Sequence, residues 1–178
     1  MTQSTGIPNL DLILGGGLKP GSIVFLAGGS GAGKTVLAQQ ICFTNGTPER
    51  PAVYYTMLGE SHVKLLEHAE NFEFFDRAAL GKSFSLLNLR GVVLGDEGQH
   101  EQLEGKAAID HMTAEISRSA IEERPSVVVI DSVKALRDIT TAQDFRRVLF
   151  DLSTRIAHSG AILLLVGEYT ADEVWNEP

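Results

Sequence analysis

The stretch GGSGAGKT, residues 28–35, limits the possible folds more than any other. Four glycines in eight residues are poor core material, but they let backbone come close to something else. The stretch lies between a short apolar run, SIVFLAG at 22–28, and a helical pattern at 34–44. Gly28, Gly33, Lys34 and Thr35 fit the spacing G-x-x-x-x-G-K-[ST]. Glycines so placed let several N–H groups turn inward on anionic oxygens. A helix opening near Gly33 adds its positive end. Lys34 brings a mobile charge to the outer phosphates, and the Thr35 hydroxyl can ligate Mg2+. The candidate cradle is therefore Gly28, Gly29, Ser30, Gly31, Ala32, Gly33, Lys34, Thr35 and Val36.

The rest of the chain alternates in the same way. Apolar runs at 52–57, 84–89, 126–131 and 161–168 read as strands. Patterns at 63–75, 107–123 and 144–158 read as helices, and 90–106 as a polar, acidic surface loop. Strands alternating with helices of this length make crossover units. Unbroken apolar runs, SIVFLAG among them, are what strands buried on both faces show. The expected fold is α/β: a three-layer sandwich, a mostly parallel sheet with helices on both faces, in one domain over 1–178. Ligands in such sheets sit at the carboxyl ends of the strands.

That edge supplies acidic candidates. VVVID stops an apolar strand on Asp131, as a strand does when it delivers one charge to the metal of a nucleoside triphosphate. Hydrolysis also needs a water held in line, and a carboxylate at another strand end could deprotonate it. Glu60, just past the second strand, and Glu168, ending the fifth, both qualify. Glu60 could equally open the next helix.

Composition narrows the class. With 178 residues, 43% hydrophobic and 21% charged, the chain can bury a core. A net charge of -8 argues against a surface built for nucleic acid, whose binding draws on a basic footprint. One cysteine, Cys42, allows no internal disulfide and fits a reducing compartment. No basic-then-apolar leader opens the chain, and no apolar stretch approaches the roughly 20 residues a bilayer needs. The expectation is a cytoplasmic protein with no membrane partner. Cys42, on the apolar face of its helix, reads as core. The five histidines lack ligand spacing and read as surface or helix-end residues.

Several segments together resemble the KaiC-like branch of the RecA-type ATPases. STGIPNLDLILGGGLKPGSIVFLAG is similar to that branch's approach to the loop, with its LD and LGGGL, and VVVIDSVKAL resembles its Walker B segment. The match in element order runs from about Ser4 to Glu168. The resemblance implies ATP with Mg2+, bound between subunits of a homo-oligomeric ring, hexameric in type, and contacts with unidentified protein partners. It implies Thr35 and Asp131 at the metal, Lys34 on phosphate and Glu60 as the water-activating base, with Glu168 a sensor near the γ-phosphate. The family's glutamate pair becomes Gly59-Glu60 here, so the first glutamate of the pair is lost.

The family's domain carries further strands after the fifth, and with them a basic residue that reaches the neighbour's site. Only YTADEVWNEP follows Glu168 here. The expectation is a C-terminally truncated domain whose first strand stands at an open edge. Trp175 could pack on that edge or on adenine. Two other functions compete. A RecA-type DNA motor would need basic loops, yet 132–144 sets Lys134 and Arg137 against Asp138 and Asp144. A nucleotide switch with little turnover is favoured by Gly59.

Overall fold

β-branched and aliphatic runs form five strands: β1 Ile23–Gly28, β2 Ala52–Thr56, β3 Phe84–Asn88, β4 Val127–Asp131 and β5 Ile162–Glu168. The computed structural model describes residues 1–56, 62–89, 105–138, 140–170 and 172–173. All strand pairs are parallel, in the order β1-β5-β4-β2-β3. The expected parallel α/β sandwich is therefore present. β5 separates the strand that feeds the glycine loop from the strand that ends on Asp131.

Among the described residues, six α-helices accompany the sheet: α1 Pro8–Ile13, α2 Lys34–Asn45, α3 His62–Ala69, α4 Gly105–Glu122, α5 Val133–Asp138 and α6 Ala142–Ser159. Side chains alternate across a strand, so the three central strands, β2, β4 and β5, each feed two cores. Tyr54, Val129 and Leu164 face α2, with Leu66 of α3 joining them. Val53, Val128 and Leu163 face α4 and α6. Cys42 is fully buried on the α2 side, and burial pushes its thiol pKa up. Among the described residues no helix is long and apolar enough to cross a membrane.

The reading of β1 as a strand buried on both faces is wrong. β2 and β4 are buried throughout, but β1 alternates, with Ile23 49% and Phe25 47% exposed. Among the described residues β1 pairs with β5 alone, so it stands at the sheet edge. Val24 and Leu26 pack towards α2, and on the opposite face the Tyr169 ring lies against Phe25, centroids 5.3 Å apart. The helix expected over 63–75 ends at Ala69. Asn71 Nδ2 donates to the Glu67 and His68 carbonyls there, and Phe74 and Phe75 turn onto Phe43. Two short helices, α1 and α5, carry no apolar period long enough to read.

The N-terminal stretch is a clasp on α2. Gln3 and Leu18 exchange backbone hydrogen bonds of 2.7 and 2.8 Å. Asp11 accepts from Ser4 Oγ, Thr5 N and Thr5 Oγ1 at 2.5, 2.7 and 2.7 Å. From α2, Gln40 Nε2 donates to the Gly6 carbonyl and Asn45 Nδ2 to that of Ser4. These contacts bring Ile7 beside the glycine loop.

Candidate nucleotide-binding site

The loop begins where β1 ends. Gly28 is in register with Glu168 on β5, and Tyr169 N donates to the Gly28 carbonyl at 3.1 Å. Gly31 and Gly33 take φ of +72° and +81°, the left-handed region that side chains disfavour. Gly33 is also the N-cap of α2, and no side chain among the described residues caps that end. The first N–H groups of α2 are thus left for a ligand. A Cβ added at Gly29, Gly31 or Gly33 would meet nothing within 4 Å. At Gly28 it would come to 3.3 Å from Ala32 Cβ. The loop is closed at its base and open above.

Three side chains converge at its far end. Thr35 Oγ1 donates to Asp131 Oδ2 at 2.8 Å, joining residues 96 positions apart. Tyr54 Oη donates to the same oxygen at 2.5 Å. Asp131 is only 5% exposed. Burial, then the Asp131 charge, push the Tyr54 hydroxyl well above the ordinary phenol range, so it is a neutral donor. Lys34 Nζ donates to the Gly29 carbonyl at 2.7 Å.

These residues fit a phosphate chain with Mg2+. The open glycine cradle presents N–H groups and a lysine, which are anion ligands. Thr35 Oγ1 donates its hydrogen bond to Asp131, which leaves its lone pairs open to a cation. Among the described residues no group of three His, Cys, Asp or Glu could hold a metal. A cation held at this point would have one hydroxyl and one carboxylate from the protein and would take its remaining ligands from phosphate and water. That is the habit of Mg2+, which uses one or two carboxylates plus substrate phosphates.

A pocket of about 550 Å³ opens over the loop, within the usual size of small-molecule sites. Gly31 to Leu37 form its floor, and Ile7, Gln40, His68 and Phe72 its wall. Val36 is part of that floor, and Ser30 sits exposed on the loop. Glu168 is exposed at the end of β5, beside the start of the loop. The structure thus brings Lys34, Thr35, Asp131 and Glu168 to one edge of the sheet. Glu60 and Gly59 lie outside the described residues, as do Trp175 and most of the acidic loop.

Sequence reasoning missed the wall and Tyr54. His68 was expected at the surface or a helix end; it is exposed, but it also lines the pocket, with Phe72 in edge contact at 5.5 Å. A His-x-x-x-Phe spacing names no ligand. Tyr54 lay in an apolar run, where its hydroxyl was the available signal that a buried partner must exist.

Comparison with known proteins agrees with this geometry. A family model described as "ATPase: KaiC" matches residues 3–176. A UPF0273 protein of Methanopyrus kandleri is 31% identical over 175 residues, covering 96% of this chain and 68% of the relative. A UPF0273 protein of Thermotoga maritima is 30% identical over 172 residues, covering 95% and 70%. The circadian clock oscillator protein KaiC of Prochlorococcus marinus is 28% identical over 155 residues, covering 84% of this chain and 28% of that protein.

Proposed function

The chain belongs to the KaiC family of ATPases, and from that premise we propose that it binds ATP with Mg2+ and hydrolyses it as a regulatory module of a ring oligomer. The observation that carries the reading is the Thr35–Asp131 hydrogen bond, which brings the end of the glycine loop and the end of β4 to one point.

The backbone amides of residues 29–35 hold the phosphate chain, and Lys34 turns from the Gly29 carbonyl to the outer phosphates. Thr35 and Asp131 hold Mg2+, which when bound supplies positive charge against the phosphate oxygens. The sugar and base extend along the wall of Ile7, Gln40, His68 and Phe72. Glu60 follows β2, whose last residue Thr56 is in register with Asp131. Its carboxylate accepts a proton from water as the water oxygen bonds to the γ-phosphorus. The bond between that phosphorus and the bridging oxygen breaks, and ADP departs with the electron pair. Glu168, beside Gly28, is the candidate sensor of the γ-phosphate.

The ring and the placing of ATP between subunits are proposed from the family resemblance. A second reading, a nucleotide switch with little turnover, is favoured by Gly59 where the family has a first glutamate.

The test is Glu60→Gln, with ATP binding and phosphate release followed on the same sample. The expected outcome is retained binding with release lowered about 10²- to 10⁴-fold. Unchanged release removes Glu60 from this role. No release from the unaltered chain, with ATP bound, selects the switch.

A further inference from the structure

Tyr54 is a buried polar side chain beneath the site that the chemistry above does not use. It lies in the middle of β2, fully buried, with its ring against Phe84 at a centroid distance of 6.3 Å. Its register partner on β4 is Val129, so Asp131 is the diagonal neighbour on the same face. Diagonal neighbours stand about 7–8 Å apart, within reach of a long aromatic side chain. The Tyr54 hydroxyl spans that gap and donates to Asp131 Oδ2 at 2.5 Å.

The geometry points to Tyr54 as a positioning residue for the divalent cation: its hydroxyl, with that of Thr35, fixes Asp131 Oδ2 so that the other carboxylate oxygen is turned to the metal. The inference rests on the reading of Thr35 and Asp131 as the Mg2+ pair. A carboxylate's last torsion is broad and roughly two-fold. A single donor from α2 leaves it free to rock. A second donor, from β2, fixes its plane. The two donors come from separate elements of the fold, so local motion of the glycine loop does not release both. A tyrosine that merely satisfied its own buried hydroxyl would matter to folding and not to the cation. Removing a group that orients a metal ligand costs about 10- to 100-fold in metal affinity.

The experiment is equilibrium binding of a fluorescent ATP analogue, titrated with Mg2+ from an EDTA-treated start. Two variants are measured. Tyr54→Phe removes the hydroxyl. Tyr54→4-fluorophenylalanine fills its space without a proton to donate, which keeps the test open if the first variant folds poorly. In both, the Mg2+ midpoint is expected to rise about tenfold or more, with metal-free binding unchanged. A wild-type midpoint in either folded variant overturns the inference, even if its unfolding temperature has dropped. Asp131→Asn separates the two levels. If its Mg2+ midpoint equals that of the wild type, the metal reading itself fails. If it loses the Mg2+ response while the Tyr54 variants keep theirs, only the role of Tyr54 falls.

Discussion

Lys34 Nζ rests on the carbonyl oxygen of Gly29, five positions back along the same loop, at 2.7 Å. On the proposed reading this is the charge that serves the phosphates, and a short swing from the Gly29 carbonyl brings it to them. Lys34→Ala should weaken ATP binding about 10- to 100-fold, the worth of one hydrogen bond to a charged group. Isothermal titration with ATP and ADP checks this. The loss should be larger for ATP, because the lysine serves the outer phosphates. Equal affinity in the variant would mean that the backbone amides alone hold the nucleotide.

Gly17 has φ of +108°, and a Cβ there would lie 2.3 Å from the Gln3 carbonyl oxygen. Gly15, two residues earlier, has φ of +70° and open space. Gly17→Ala should therefore destabilise the chain by about 2 kcal/mol or more, lowering Tm by roughly 6 °C. Gly15→Ala should cost clearly less. Thermal unfolding of both variants decides it, and equal losses would show that the clasp gives way at no cost.

Asp11 accepts three hydrogen bonds from Ser4 and Thr5, and the Ser4 bond foremost lowers its pKa below the usual aspartate value. A carboxylate with a depressed folded pKa adds stability that is present above its unfolded value, about 3.9. That stability is lost as pH falls through the folded value. Asp11→Asn should be less stable than the wild type at neutral pH, and the gap should close below about pH 4. Denaturant unfolding across that range checks the sign. A gap that widens in acid would contradict it.

How far the sequence could be read follows from what each residue touches. β2, β4 and β5 were legible because both faces are buried, which leaves an unbroken apolar run. SIVFLAG has the same composition but lies at the edge, and composition does not record which neighbours a strand lacks. The cradle was legible because its glycines, lysine and threonine are contiguous. Asp131 was legible because a carboxylate closing an apolar strand is unusual. Tyr54 was not, since its hydrogen bond crosses 77 positions. The LD and LGGGL segments could be read only as marks of resemblance. The structure gives them a physical cause in the Asp11 hydrogen bonds and in the close approach of Gly17 to Gln3. The pocket wall was hidden for the same reason as Tyr54: Ile7, Gln40 and His68 come from three separate segments.

The measurement that bears most directly on the central claim is Mg2+-dependent ATP turnover per chain, followed over a wide range of protein concentration. A site completed by a neighbouring subunit predicts turnover that rises steeply with concentration and vanishes in EDTA. Turnover per chain that stays constant across the range would contradict the ring, and no turnover at any concentration with ATP bound would contradict hydrolysis itself.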